Sequence, residues 1–317
     1  MKGHITMDYL SVLEMSKLWE ITPQQIRTLC REGRVPGAIQ TKDGWMIPKD
    51  EQKPGRKVRK KAARGPNVPK NTLTPLAKRI VYQKSKNNHY GFYEYIQVNL
   101  TYSSNRMASN RLTRTEVEEI YRTNKITSSF EPAKVDDIIE TINHIAAVRC
   151  VVDNIQAPIT QGLVQKLHKL LTYGTYAERK ERYAPGSYRI KSVKKGIAPN
   201  KINTELGSLI REYEAKAVDL DCILDFHVRF LNIRPFDDYN GRVGRLIMMK
   251  ECLRFGIDPF IIDDKRRSAY HKGLANWEKD PTMLYDVVKQ AQERFQRYKQ
   301  VCKLMEYCRP ATGRGAR

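Results

Sequence analysis

The sequence lacks long apolar runs and paired cysteines, and each absence excludes a class of protein. No stretch approaches the about 18 consecutive apolar residues of a membrane helix, which excludes a membrane-spanning protein. The N-terminal stretch MKGHITMDYLSVLEM has no apolar core of the signal-peptide kind, so we expect a cytoplasmic protein. The cysteines are scattered, with no C-x-x-C pair and no Cys/His cluster of zinc spacing, which excludes a zinc site of that kind. We expect six free thiols, packed mostly in helices: Cys30, Cys150, Cys222, Cys252, Cys302 and Cys308.

Acidic residues are also scarce. The chain has 35 Asp and Glu against 57 Lys and Arg, a formal net charge of +22. Such a surplus creates a positive field that attracts polyanions, so nucleic acid, nucleotide phosphates and acidic lipid headgroups are all candidate partners. The 317 residues suffice for a domain of about 200 residues and a smaller one.

One break in composition divides the chain. Residues 52–72, QKPGRKVRKKAARGPNVPKNT, are rich in Pro, Gly and basic residues and predict a linker. We therefore expect a domain at 1–51, a domain at 73–308 and a disordered tail at 309–317.

The 73–308 domain is predicted to be mainly α-helical. Apolar residues recur there at helical spacing, as in 160–172, 203–217, 218–233, 242–255 and 283–307. The exception is 184–200, where Tyr188, Ile190 and Val193 lie between Pro and Gly residues and predict a short β-hairpin.

The N-terminal domain has a well-marked helix start. Thr22 can cap a helix, Pro23 suits its first turn, and Gln25 completes a T-x-x-Q capping box; Gly33 is expected to end this helix. The amide, hydroxyl and guanidinium groups along this helix have the chemistry that reads base edges and phosphates in a major groove. They belong to Gln24, Gln25, Arg27, Thr28 and Arg31.

The segment GRVPGAIQTKDGWMIP that follows is predicted to form a small wing. Together with the helices it resembles the MerR/excisionase-like helix-turn-helix. That resemblance implies a winged DNA-binding domain, with the basic linker tracking the phosphate backbone. The alternative is a helical protein-interaction module with a charged surface.

The most informative segment for chemistry is IRPFDDYNGRVGR, residues 233–245. A turn at Asn240 and Gly241 lets backbone N–H groups point into one concavity at a helix start, which favours phosphate. Arg242 and Arg245 are three residues apart and can clamp a polyphosphate. Asp238 is a suitable oxygen ligand for a shared Mg²⁺. Phe236 is expected to anchor the loop in the core.

This segment resembles the Fic family signature H-x-F-x-(D/E)-G-N-G-R-x-x-R, and the likeness extends over about residues 75–300. The resemblance implies a helical fold with a target-binding flap, ATP and Mg²⁺ as cofactors, and transfer of AMP to a hydroxyl of an unknown target protein. It places Asp238 on the metal, Asn240 and Gly241 in the anion hole, and Arg242 and Arg245 on the phosphates. The flap would include Ser187, Tyr188, Arg189 and Ile190.

Two residues depart from that signature. Arg234 stands where the family has its catalytic histidine, and an arginine stays protonated and cannot accept the proton of the attacking hydroxyl. Loss of a general base costs about 10²- to 10⁴-fold in rate, so we expect impaired transfer. Alternatively, Arg234 binds phosphate as an extra cation. Tyr239 replaces a glycine and is expected to narrow the anion hole. His227, seven residues before Arg234, lies in an apolar stripe, so we interpret it as a buried structural histidine rather than a substitute base.

A third departure lies upstream in TYSSNRMASNRL, residues 101–112. It resembles the family's inhibitory helix, (S/T)-x-x-x-E-(G/N), with Ser104 at the first position and Ala108 followed by Ser109 in place of Glu-Gly. Arg245 would then be free to hold ATP, unless Glu116 or Glu118 reaches it. The alternative is that 101–124 contains only two helix starts, one capped by Thr113 with Glu116.

The sequence thus predicts a Fic-type protein adenylyltransferase with impaired catalysis. The alternative is a DNA-binding transcriptional regulator whose Fic domain senses nucleotide or mediates homo-oligomerisation. A toxin-like or phosphotransfer variant is a third candidate.

Overall fold

The computed structural model describes residues 8–31, 34–41, 44–54, 72–86, 91–127, 133–179 and 184–307, with side chains described to residue 302. The chain divides into two compact units, residues 1–63 and 64–317. Gly33, Cys308, most of the predicted linker and the predicted tail lie outside the described residues.

The first unit combines two helices with a small antiparallel sheet of strand order β1-β3-β2. Tyr9 pairs with Pro48 and Thr41 pairs with Gly44. The elements in chain order are β1 (Tyr9–Ser11), α1 (Val12–Trp19), α2 (Pro23–Arg31), β2 (Ile39–Thr41) and β3 (Gly44–Pro48). The predicted wing segment thus forms the β2–β3 hairpin, while β1 had no sequence signal that we recognised.

Side-chain caps explain where its helices begin. A capping box joins Ser11 to Glu14 at the start of α1. At the start of α2, the Thr22 amide donates to Gln25 Oε1 at 2.9 Å and the Gln25 amide donates to Thr22 Oγ1 at 3.3 Å, as the T-x-x-Q pattern predicts. The core of the unit is apolar, with Met15, Ile26 and Ile47 fully buried.

The second unit is helical, which confirms the predicted mainly α fold. Its helices cover all the segments with helical spacing, and two short 3-10 turns lie at Pro199–Lys201 and Asp264–Arg266. The helices are α3 (Pro75–Ser85), α4 (Phe92–Arg106), α5 (Arg114–Thr123), α6 (Val135–Asp153), α7 (Gln161–Thr172), α8 (Tyr176–Arg179), α9 (Ile202–Glu214), α10 (Leu220–Ile233), α11 (Asn240–Phe255), α12 (Arg267–Asn276) and α13 (Thr282–Tyr307).

Helices α10 and α11 carry the informative segment between them. Asp219 caps α10 by accepting the Cys222 amide at 2.9 Å, and Arg234 ends it in the left-handed conformation, φ 51°. Helix α11 starts at Asn240 and ends at Gly256, φ 74°, where glycine carries no steric penalty. Both helices are largely buried, so the loop between them is held at both ends by the core.

The segment 184–200 contains no β-strand, which corrects the predicted hairpin. Besides a local turn, in which the Ser187 amide donates to the Ala184 carbonyl, its backbone bonds to the α10–α11 loop: the Arg189 amide donates to the Pro235 carbonyl at 2.9 Å. The Arg189 guanidinium donates to the carbonyls of Lys191 and Ile197 in the segment itself. Spacing alone could not reveal this, because the partners lie about 45 residues away.

The five described cysteines are free thiols, four of them buried, as expected. Within the described ranges, no helix combines the length and apolarity required to cross a bilayer.

Candidate functional site

The loop between α10 and α11 is closed by one amide side chain. Asn240 Oδ1 accepts the Phe236 amide at 3.0 Å, and Asn240 Nδ2 donates to the Phe236 carbonyl at 2.8 Å. Phe236 is fully buried, so it anchors the loop in the core as predicted. The loop therefore delivers the backbone N–H groups of the α11 start in a fixed geometry.

His168 on α7 supports this loop and was missed by the sequence analysis. Its ring stacks on Phe236 with 3.8 Å between centroids, and its Nδ1 accepts the Gly186 amide at 2.9 Å. The ring is also hydrogen-bonded to the backbone of Asp238. Burial lowers the pKa of His168 to about 3, so the ring is neutral. In the sequence it lies in an apolar stripe and looks like any core residue.

Arg245 lies against the bare backbone of Gly241. A Cβ added at Gly241 would be 3.1 Å from Arg245 Nη1, so glycine allows the guanidinium to approach. Arg245 is buried and donates from Nε to Ser104 Oγ and from Nη2 to the Ser104 carbonyl, both at 3.0 Å. Burial lowers the pKa of Arg245.

The remaining positions of the inhibitory-helix pattern lie beyond the helix. Ser104 is in the last turn of α4, whereas Ala108 and Ser109 lie in the exposed turn after it. The two carboxylates considered for Arg245 have other contacts. Glu116 forms the capping box with Thr113, and Glu118 pairs with arginines on its own helix.

Arg242 contacts a carboxylate that the sequence analysis did not identify. Arg242 Nη1 is 2.9 Å from Glu140 Oε1 on α6, an ion pair without hydrogen-bond alignment at Nη1. The Tyr239 hydroxyl donates to the same Glu140 oxygen at 2.7 Å. The Arg242 guanidinium carbon lies 3.5 Å from the centroid of the Tyr239 ring. The Tyr239 ring therefore covers the Arg242 guanidinium, and the Tyr239 hydroxyl and Arg242 contact the same carboxylate, that of Glu140.

Asp238 is exposed at the start of α11. Its Oδ1 accepts the amide of Tyr239 at 2.6 Å. Among the residues described, no group of three or more His, Cys, Asp or Glu side chains could hold a metal ion. A single carboxylate still fits Mg²⁺, which binds through one or two carboxylates plus phosphate oxygens and water.

Arg234 is half-buried and has a backbone role. Its amide donates to the Phe230 carbonyl at 3.1 Å and its carbonyl accepts from Arg189 Nε at 2.7 Å. Its side chain starts beside Gly196, where an added Cβ would be 3.2 Å from Arg234 Cβ. Arg234 thus lies where the segment 184–200 contacts the α10–α11 loop.

Arg189 fastens the predicted flap to the site. It is buried, and besides Arg234 it donates to the carbonyls of Lys191 at 2.8 Å, Ile233 at 3.4 Å and Ile197. Of the other predicted flap residues, Ser187 and Ile190 are exposed and Tyr188 is half-buried.

His227 is a buried structural residue, as we interpreted it. Its Nε2 is 2.5 Å from the Tyr270 hydroxyl, and its ring contacts Gly244 so closely that an added Cβ would be 2.6 Å from Cε1. Burial lowers the pKa of His227 to about 3.

In the first unit, the residues predicted to contact DNA are exposed on α2. Gln25 also caps the helix, and Arg31 Nε donates to the Arg27 carbonyl at 3.4 Å. The exposed set is Gln24, Gln25, Arg27, Thr28 and Arg31.

Comparison with known proteins assigns part of the second unit to a family. Residues 158–252 match the Fic/DOC family. A Fic-domain signalling protein from Bacteroides thetaiotaomicron is similar at 16% identity, covering 75% of this chain and 99% of that one, with a TM-score of 0.58. Residues 134–508 of Fic-1 from C. elegans are similar at 18% identity, covering 73% and 72%, with a TM-score of 0.56.

A Fic family protein from Desulfovibrio desulfuricans is similar at 18% identity, covering 77% and 79%, with a TM-score of 0.51. No curated protein matches the chain. Residues 158–252 are therefore a Fic/DOC family domain, and the chain shares the fold of solved Fic proteins.

Proposed function

We propose that the second unit binds ATP and Mg²⁺ at the 236–245 loop, and that its transfer of AMP to a protein hydroxyl is impaired. The observation that carries this proposal is the loop itself. Asn240 closes it, and Gly241 leaves room for a buried guanidinium beside the amides of a helix start. That combination suits phosphate oxygens.

Each residue of the loop has a separate role in this proposal. Asp238 would hold the magnesium ion, which supplies charge neutralisation to the phosphates when bound. Asn240 and Gly241 present backbone amides, and Arg245 approaches them from the core. Before Arg242 can contact phosphate, it has to leave or share Glu140.

Among the residues that the structure describes, no histidine near the loop replaces the missing base. Arginine is a poor proton acceptor, and the Arg234 backbone is fixed by Phe230 and Arg189. His168 uses its ring to hold Gly186 and Asp238, and His227 is buried against Tyr270. Proton removal from a hydroxyl is therefore the step this chain performs poorly.

Labelled ATP tests the proposal. We expect the wild-type chain with Mg²⁺ and cell extract to label proteins weakly, and Arg234→His to raise labelling by about 10²-fold or more. Adding Asp238→Ala or Arg242→Ala to Arg234→His should abolish the gain, while Lys216→Ala, an exposed change outside the loop, should not. Strong labelling that survives Asp238→Ala and Arg242→Ala would contradict the site assignment.

A second candidate function is a DNA-binding regulator with a nucleotide-sensing Fic domain, which the exposed polar face of α2 favours. We expect the full chain to shift promoter fragments at low salt, and Arg27→Ala with Arg31→Ala to weaken the shift. Lys17→Ala, an exposed change on α1, is the matched control. Absent binding at low salt, or binding that salt does not affect, would refute this function.

A further inference from the structure

A compartment of buried polar side chains lies on the core side of the motif arginines. Gln97, Thr101 and Asn105 form one stripe of α4, because they recur every four residues. They are 0%, 0% and 2% exposed, and His144 on α6, which faces them, is 0% exposed. Four polar side chains are thus enclosed between two helices.

Two contacts between the α4 region and α6 show where Asn105 lies along the axis of α6. Thr101 Oγ1 is 3.0 Å from His144 Nδ1, and Asn110 Nδ2 donates to Glu140 Oε2 at 3.4 Å. The sequence numbers rise along α4 while they fall along α6, so the helices run antiparallel. Along the axis of α6, Asn105 therefore lies between His144 and Glu140.

The arginines of α11 close the third side. Arg245 donates to Ser104, the residue before Asn105, and Arg242 pairs with Glu140, one turn before His144. Burial, together with the charges of both arginines, lowers the pKa of His144 to about 3. His144 is therefore neutral at this position.

Several buried atoms here have no hydrogen-bond partner in the described part of the chain. They are Nδ2 and Oδ1 of Asn105, Nε2 of His144 and Oε1 of Gln97. Leaving a buried polar atom unpaired costs about 1–3 kcal/mol, so such atoms require an explanation. Two of these atoms, Asn105 Nδ2 and His144 Nε2, are the donors that an occupant with acceptor oxygens would pair.

The charge of the compartment selects the kind of occupant. Of the two buried guanidinium groups, that of Arg242 pairs with a carboxylate, Glu140, whereas that of Arg245 contacts Ser104 and the Tyr270 hydroxyl. Water could satisfy the unpaired atoms but would leave this positive charge unbalanced. An anion with several acceptor oxygens balances this charge and accepts from Asn105 Nδ2 and His144 Nε2, while water can donate to Asn105 Oδ1 and Gln97 Oε1.

We propose that this compartment binds a phosphoryl group through the Asn105 amide and the His144 imidazole, with Arg245 beside them. This inference rests on the proposed nucleotide function and adds Asn105 and His144 to the residues that hold phosphate. The phosphoryl group can come from the end of a nucleoside triphosphate or from inorganic phosphate.

The test compares Asn105→Leu with Asn99→Leu on the same helix. Asn99 faces α5, where its Oδ1 accepts from Arg114, so it serves as the matched control. Calorimetric titrations of the full chain would use Mg-ATP, Mg-AMP, inorganic tripolyphosphate and inorganic phosphate. His144→Phe provides a second variant that removes the other proposed donor.

We expect Asn105→Leu and His144→Phe to weaken Mg-ATP binding by about 10-fold or more and to leave Mg-AMP binding unchanged. Asn99→Leu should leave both unchanged. Asn105→Leu should also preserve or raise the melting temperature without ligand, because it removes an unpaired buried amide of similar shape. Weaker binding of tripolyphosphate alone or of phosphate alone in the variants identifies which source the compartment accepts.

Unchanged Mg-ATP affinity in both variants, with binding intact in the wild type, would overturn the compartment and leave the proposed function standing. A lower melting temperature with unchanged affinity would show that Asn105 holds structure or water. If the wild type binds none of the four probes, the proposed function and this inference both fail.

Discussion

Gly241 controls how closely the Arg245 guanidinium approaches the α10–α11 loop. A methyl group there would lie 3.1 Å from Arg245 Nη1, and Arg245 is held by two bonds to Ser104. We expect Gly241→Ala to weaken Mg-ATP binding by about 10-fold through displacement of this guanidinium. Thermal stability should stay equal or rise slightly, because alanine favours a helix start more than glycine. Calorimetry and a melting curve check both parts, and an unchanged affinity would contradict the expected role.

Gly244 has a structural role on the same helix. A Cβ there would lie 2.6 Å from His227 Cε1, and the ring cannot move away because Tyr270 holds it. We expect Gly244→Ala to lower the free energy of unfolding by about 1–3 kcal/mol, as overpacking in a core does. Gly162→Ala is the matched control, since Gly162 is exposed on α7 with Thr160 Oγ1 at 3.8 Å. Gly162→Ala should raise the free energy of unfolding by about 0.5–1 kcal/mol. Denaturant titrations measure both variants, and an equal change in the two would contradict this expectation.

At the scale of elements, Arg189 joins the segment 184–200 to the end of α10. Its guanidinium and its amide donate hydrogen bonds to carbonyls on both sides of that junction, including those of Arg234 and Pro235. Lysine has a single ammonium group and cannot reproduce this forked geometry.

We therefore expect Arg189→Lys to increase amide hydrogen exchange in residues 184–200 by about 10-fold or more, because the carbonyls of the junction lose their donor. Lys191→Ala, which removes an exposed neighbouring cation, should leave exchange unchanged. Protection that is the same in wild type and Arg189→Lys would show that the segment is held by other contacts.

The elements also show how far local sequence signals extend. The capping boxes of α2 and α5 and the helical spacing of α7, α9, α10, α11 and α13 were all predictable, because each depends on neighbours within a few residues. The segment 184–200 was predicted as a hairpin because its apolar spacing and punctuating glycines are typical of one. It bonds instead to Pro235 and Arg234 at the end of α10 and to His168 on α7, and no short-range pattern encodes these partners.

At the scale of the whole molecule, three buried histidines contribute to the response to acid. Burial lowers the pKa of His144, His168 and His227 to about 3. In the unfolded chain each takes up a proton near pH 6.5, whereas in the folded state it does so only near pH 3. Between these values the unfolded state binds more protons, so stability falls as the pH falls.

We expect the free energy of unfolding to fall by up to about 1.4 kcal/mol per pH unit for each of these histidines below pH 6.5. Denaturant titrations at pH 7, 6 and 5 measure this slope. His271, which is exposed on α12, should contribute less, so His271→Gln is the control. Stability that is constant between pH 7 and pH 5 would contradict the neutral, buried state of the three rings.

The sequence by itself determined the chemistry of the loop and the positions of most helices. Phe236, Asn240, Gly241 and the two arginines of the signature lie within ten residues, and the helices follow from spacing and caps. Arg234 in the histidine position needs no structure to be recognised as a poor base.

Only the tertiary structure decided which side chains hold these groups in place and which charged side chains lie against them. Ser104 reaches Arg245 across 141 residues, and Glu140 reaches the Tyr239 hydroxyl across 99. His168 and Ser104 look like ordinary helix positions in the sequence, and only the packing of α4 and α7 against α11 brings them to the loop and to Arg245. Side chains this far apart in the chain meet through helix packing, which depends on the whole core rather than on any local pattern.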